Sequence, residues 1–489
     1  MTEPMDHRLF ELTSAAAMDG LEFIERRISA KRRIRNYDNW PTVTWTEERM
    51  PSFSFLDIDP PIDYKDAFNS SWYAFGRALF NNWQEEEFQF DTNEPYQHLK
   101  QYIRSEPRVV SHLFPPEIDE GFFDHSVKWF LEQAIDRCIH LSGQPSFNSD
   151  KFLAAYLPLE AGLLLDDLPI DILVPVLRAT FPLESYELGD GVSIARMSEP
   201  VQLARARLGH NTHEVSEFML QEATHALVLR DYVLPNLNYR ERGWGYEAKT
   251  FPVHLIDAFF ASLRMITSVE TGYAQLLRQP IGWAHDYVAG LPPLEGTTIR
   301  KYPPNLTRMN AFYGEIASEI STALMEKVRT LFAAVNSIQQ TKGRRRLELV
   351  IKRLNSCYMR EEQEDAILDA TIGLEILLSD GDTQEVTHKL ALRLAALSSL
   401  IPDYAEQAAV IFRNVKNTVY PYRSAVVHGN EKQASRKREL KAESGETIPA
   451  VTLAVQYLGM AVQVIAQHPE YLDPKLIDEK LLLGRKKIE

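Results

Sequence analysis

The feature that most constrains this chain is a series of amphipathic periods in its last third. Ile367, Ala370, Leu374 and Leu377 recur three and four apart in EDAILDATIGLEILLS, and Val386, Leu390, Leu394 and Leu397 do the same in QEVTHKLALRLAALSSL. Ile411, Val415 and Val419 continue the pattern in AAVIFRNVKNTV. Such spacing lines up apolar side chains on one stripe of a 3.6-residue helix. AFYGEIASEISTALMEKVRTLFAAV (311 to 335) and RRLELVIKRLNSCYMR (345 to 360) read as helices for the same reason, and a last helix spans Val451 to Ile465. Connectors such as DGDT (380 to 383) and PDY (402 to 404) are short, which makes consecutive helices antiparallel neighbours. The pattern predicts a helical bundle over 306 to 470, followed by a tail from 471 to 489.

The front of the chain has a different character. All seven Trp lie at or before position 283, which suggests that two different cores meet near residue 300. Residues 8 to 36, 70 to 90 and 121 to 143 look helical, separated by an aromatic, Pro-rich stretch from Trp40 to Tyr64, so residues 1 to 150 form a helix-rich region. Strand signals follow. In YELGDGVSIARM, Asp190 and Gly191 supply a hairpin turn between alternating Tyr186, Leu188, Val192 and Ile194, and HALVLRDYVL (225 to 234) is a second strand. PVHLIDAFFASLRMITSVETGYAQLL (252 to 277) reads as a helix, and GLPPLEGTTIRKYPPN (290 to 305) as a linker. The expected architecture is α+β overall and mostly α, with a small mixed α/β domain over 151 to 300 ahead of the bundle.

Bulk properties exclude several classes. No window holds the 18 or so uninterrupted apolar residues of a spanning helix, and acids precede the first apolar run, the wrong order for a secretory signal. Cys138 and Cys357 are the only cysteines and have no paired spacing, which leaves no disulfide framework and fits a cytoplasmic protein with no membrane partner. A net charge of −15 argues against broad adhesion to polyanions. Basic runs at 25 to 35, 342 to 353 and 432 to 441 leave room for a local nucleic-acid surface, or are simply solvated helix faces or flexible loops. His210, His213 and Glu214 in HNTHE lack zincin spacing and a third ligand, GLPPLEGTT lacks the Lys of a phosphate loop, and no GxSxG or GxGxxG string occurs. No metal or cofactor is expected.

The segment YPYRSAVVHGN carries the chemistry. Arg423 and His428 lie about 140° apart around an ideal helix, adjacent without sharing a face. Convergence therefore needs the long Arg side chain, a loosened helix end, or a second copy from another subunit. Pro421 and Gly429 bracket the pair and disturb regular helix. Transesterification of RNA by its own 2′-hydroxyl needs a proton carrier near neutral pH, which histidine supplies, and a fixed cation for the phosphorane, which a guanidinium supplies. A helix-terminal His near carbonyls and a solvent-facing Arg give the same spacing without any chemistry.

The string from GLEILLS through HKLALRLAAL to RSAVVHG resembles the HEPN (higher eukaryotes and prokaryotes nucleotide-binding) superfamily, most closely its Apea-like branch, over roughly 310 to 468. The resemblance implies a metal-independent endoribonuclease with an R-x4-6-H motif, here Arg423 and His428, working in a homodimer that places two motifs in one cleft. It further implies RNA as substrate, a role in prokaryotic defence by abortive infection or toxin-like growth arrest, and a front portion that senses a phage or regulatory trigger. Many members carry Asn, Asp or His directly after the Arg; Ser424 stands there and cannot titrate. Glu375 and Arg393 are candidates for a buried pair orienting Arg423 or His428, or else are a purely structural pair or two unrelated surface charges. A dimerisation or nucleotide-binding scaffold that cuts nothing is the alternative from another class.

Overall fold

The computed structural model describes residues 2–47, 49–56, 59–68, 88–109, 120–210, 217–236, 250–304, 317–339, 343–381, 385–441 and 445–484. Most of the segment 70 to 90, the first residues of the segment 311 to 335, His213, Glu214, Asp382 and Thr383 lie outside them. The described chain is mostly helical with several small sheets, an α+β fold.

Helices α1 (His7–Ser29), α2 (Glu94–Ser105), α3 (Glu120–Ser142) and α4 (Ser149–Leu164) pack around Leu9, Ile24, Tyr96, Ile135 and Phe152, all fully buried. Three of the four begin at a side-chain cap, with Asp6, Asn93 and Asn148 accepting from the amides of Leu9, Tyr96 and Lys151. Each cap satisfies a backbone donor that has no partner inside its helix. The basic run 25 to 35 straddles the end of α1, and from Ala30 onward it is no longer helical. Strands β1 (Thr42–Trp45) and β2 (Pro51–Ser54) form an antiparallel ribbon in the Pro-rich stretch.

A six-stranded antiparallel sheet follows. Its strands are β3 (Asp167–Pro175), β5 (Ser185–Gly189), β6 (Val192–Arg196), β7 (His225–Pro235), β8 (Tyr273–Pro280) and β9 (Glu295–Lys301), in the order β5-β6-β7-β3-β8-β9. A separate two-residue strand, β4 (Ala179–Thr180), pairs in parallel with β10 (Ser318–Glu319). The predicted hairpin is present: Tyr186 faces Ile194, and Asp190 and Gly191 turn the chain with φ of 47° and 73°. One face packs on α5 (Glu199–His210), whose Val201 and Ala206 join Leu277 and Ala226 in a small core. The other face packs on α6 (Val253–Thr267) through Phe259, Phe260 and Leu263.

Two expectations fail here. The helix read over 252 to 277 ends at Thr267, because Ser268 adopts a left-handed φ of 56°, and Tyr273–Pro280 is the buried strand β8. Its apolar residues fit a helix period and a buried strand equally well. The linker read over 290 to 305 contains edge strand β9, paired with β8 at Leu277↔Gly296 and Leu276↔Thr297. A Cβ at Gly296 would strike the backbone carbonyl of Leu276, so this glycine permits close strand approach.

The bundle comprises α7 (Thr322–Gln339), α8 (Arg344–Met359), α9 (Gln363–Leu378), α10 (Val386–Ser398), α11 (Ala408–Asn414), α12 (Tyr420–Val427), α13 (Glu431–Lys437) and α14 (Ala450–Gln467), with a β11 (Glu439–Lys441) and β12 (Thr447–Pro449) ribbon before α14. Helix α7 starts later than the sequence pattern suggested, after β10. Ile367, Ala370, Leu374, Leu377, Leu390, Leu394, Leu397, Ile411, Val415 and Val419 are all buried, as their periods required. The segment read as a tail is packed: Tyr471 and Ile477 are buried in the bundle. The composition break near 300 is not a break in packing, since the sheet residue Ile172 and Trp283, just after β8, share one continuous core with Phe332 and Leu374. Helix α14 alone, among the described residues, is long and apolar enough to cross a membrane, and 67% of it is buried inside the protein.

Candidate active site

The motif helix is the last part of a longer one. Helix α11 runs into a π-helical turn, Val415–Val419, and then directly into α12. Pro421 brings no backbone donor, and the carbonyl four residues before it, that of Asn417, accepts from Lys437 Nζ of α13 at 2.8 Å. Helix α12 stops at a Schellman turn: Gly429 N–H donates to Val426 O at 3.2 Å and Asn430 N–H to Ala425 O at 2.8 Å. Gly429 supplies the left-handed φ of 63° that this turn requires. Pro421 thus lies within the continuous helix just after the π turn, Gly429 sets the end of the motif helix, and His428 is its C-cap.

Arg423 lines an open cleft of about 390 Å³ with Glu375, Ser379, Val386, Tyr420 and Ser424. Its Nη2 lies 3.5 Å from Glu375 Oε1, both side chains being 30% exposed. Its Nε is buried with no hydrogen-bond partner. Tyr420 is buried beside both; burial first, and then the Glu375 carboxylate, push its hydroxyl well above the usual phenol range, opposed by Arg423. Tyr420 is therefore a neutral wall of the cleft. Tyr422 is fully buried, 3.2 Å from Glu364, and packs away from it.

His428 is exposed and does not line the cleft. One chain therefore brings Arg423, Ser424 and Glu375 together and leaves the imidazole outside. The expected Glu375–Arg393 pair does not form. Arg393 instead donates to Asp478 at 2.9 and 2.7 Å, to Asp380 at 2.7 Å and to the carbonyl of Leu378 at 2.6 Å. Helical phase explains the exchange: Glu375 is half exposed on the flank of α9 that meets α12, whereas Arg393 is buried against the end of α9 and the chain's last turns.

A second arginine completes that end. Arg346 donates to the carbonyls of Ile376, Leu377, Ser379 and Leu472 at 2.5 to 3.1 Å. Helix C-termini leave carbonyls without partners, and here two guanidinium forks satisfy them. They pin the turn carrying Ser379 and Gly381, which is one wall of the cleft. Sequence reasoning missed Arg346, Asp380 and Asp478 as positioning residues. The basic run at 342 to 353 was the only signal for Arg346, and Asp478 lay in the presumed tail.

Arg423 is thus held as a partly exposed cation in an open cleft whose lining also carries the Glu375 carboxylate and the hydroxyls of Ser379, Thr387, Tyr420 and Ser424, with the imidazole one helix end away. No family model, curated protein or solved structure matches this chain.

Proposed function

We propose that this chain is an endoribonuclease of the HEPN type that cleaves RNA without a metal ion, acting as a homodimer. The observation that carries the reading is the placement of Arg423: a cation at the wall of an open cleft, with a buried nitrogen that has no partner and only a long contact to Glu375. A scissile phosphate entering the cleft would displace that contact and take up the guanidinium fork. Attack of the adjacent 2′-hydroxyl on phosphorus, with His428 carrying the proton, breaks the bond to the 5′-oxygen. The products are a 2′,3′-cyclic phosphate and a 5′-hydroxyl. Because His428 stands outside its own chain's cleft, the reading assigns it to the cleft of a second copy. The residues ahead of the bundle would then restrain or trigger a nuclease used in cytoplasmic defence or growth arrest.

Incubation with total RNA in the presence of EDTA tests this. The parent protein is expected to cut, Arg423→Ala and His428→Ala to be inactive, and a mixture of the two variants to regain part of the activity. Cleavage that survives both substitutions rejects the site. The separation of His428 from the cleft favours one other reading, a HEPN-like scaffold that holds a nucleotide or dimerises without cutting; binding of RNA with no cleavage under any condition supports it.

A further inference from the structure

Helix α6, strand β9 and helix α8 meet at the seam between the sheet and the bundle. They enclose a cleft of about 190 Å³ that shares no lining residue with the Arg423 cleft. Its walls are unusually cationic. Arg264 is 2% exposed, and its guanidinium donates only to neutral atoms, the carbonyl of Thr271 at 2.6 and 3.2 Å and Asn355 Oδ1 at 2.5 Å. Lys301 and Lys352 make no ion pair among the described residues. Facing these three cations is one carboxylate, Asp257, which accepts from Tyr273 Oη at 3.4 Å. Arg300 and Arg360 stand at the rim, already paired with Glu361 at 3.3 Å and Asp369 at 2.7 Å.

Three cations against one carboxylate leave a surplus of two positive charges around a small, half-open cleft, with Arg264 buried at its back. A surplus of two matches a phosphate monoester dianion. Lysine ammonium groups on mobile stems suit such a ligand as point charges. Arg360 also borders a second cleft of about 550 Å³, where the Tyr358 ring, itself 5.1 Å from the Arg264 guanidinium, meets Val451 and Val455. An apolar or aromatic body carried on the phosphate would fit there.

We propose that the seam is a binding site for a small phosphate-bearing ligand, with Lys301 and Lys352 contacting the phosphate and Arg264 supplying fixed charge behind them. A ligand there touches α6 and β9 on one side and α8 on the other, so its binding ties the sheet to the bundle.

Isothermal titration of the full chain with inorganic phosphate, AMP and adenosine tests the assignment. Phosphate and AMP are expected to bind and adenosine not to. Tighter binding of AMP than of phosphate assigns the second cleft to the organic part; equal affinities assign recognition to the phosphate alone. The Lys301→Gln/Lys352→Gln double variant, whose side chains lie at the surface, is expected to lose affinity by about tenfold or more, and Lys301→Arg/Lys352→Arg to retain most of it. Arg423→Ala is expected to keep the phosphate binding that depends on Lys301 and Lys352, which separates this site from the nuclease reading. Adenosine binding as tightly as AMP, an undiminished affinity in the Gln double variant, or no binding of either phosphate compound would overturn it.

Discussion

Replacing Arg393 by alanine should be the most damaging single change at the end of α9. The side chain is 3% exposed and joins Asp380, Asp478 and the Leu378 carbonyl through four hydrogen bonds between 2.6 and 2.9 Å. Removing one partner from a fully buried ion cluster costs about 3 to 5 kcal/mol. Here the two acids are 18% and 37% exposed and regain water once released, which lowers that cost. The Leu378 carbonyl has no such escape and adds about 1 kcal/mol or more. The expected loss is about 2 to 4 kcal/mol. Tryptophan fluorescence is a poor local reporter, because no Trp lies in α9 or α10. Hydrogen exchange of the α9 and α10 amides against denaturant reads the right region. Arg393→Lys should recover only about 1 kcal/mol, since a point charge cannot serve two acids and a carbonyl. A loss below about 1 kcal/mol for Arg393→Ala, with unchanged exchange at Ser379 to Gly381, would refute the claim that this network holds the cleft wall.

Three further outcomes are expected. Gly373→Ala places a methyl 2.7 Å from Leu458 Cδ2 across the α9–α14 contact; the overpacking outweighs the gain in helix propensity and costs about 1 to 2 kcal/mol in denaturant unfolding. His225 is fully buried, with Thr224 Oγ1 at 2.7 Å and the Leu183 carbonyl at 3.1 Å, and burial lowers its imidazole to about 4. A histidine depressed in the folded state stabilises fully above its unfolded pKa and loses that contribution as pH falls. Stability should therefore drop by about 3 kcal/mol between pH 6.5 and 4, and His225→Gln should flatten that slope in pH-dependent unfolding. Asp369 is nearly buried and receives both Arg353, at 2.5 Å, and Arg360, at 2.7 Å, so Asp369→Asn should lower the melting midpoint; the two arginines are largely exposed and rehydrate, which keeps the cost near 1 kcal/mol.

Parts of this structure were legible in the residues. The period of Ile367 to Leu377 and of Leu390 to Leu397 specified which face of α9 and α10 is buried, and Asp190-Gly191 specified the β5–β6 turn. Pro421 and Gly429 marked the two places where the motif helix departs from regular geometry, the π turn just before Pro421 and the turn at Gly429. Other parts were not. Strand β8 hid inside an apolar run that a helix would also accept, and β9 hid in a Pro- and Gly-rich stretch because its edge position needs Gly296 to approach Leu276.

What the sequence determined by itself is local: helix and turn chemistry, the polarity of each face, and the presence of an arginine and a histidine near one helix end. What only tertiary structure decided is pairing. Glu375 met Arg423 and not Arg393, Arg393 met Asp380 and the sequence-distant Asp478, Lys301 and Lys352 came to share a cleft with Arg264, and His428 was left outside the cleft that Arg423 lines. The physical reason is that backbone propensity and hydrophobic period act over a few residues, whereas a charge's partner depends on which helix phases meet across a core, and that is settled only when the whole chain has packed.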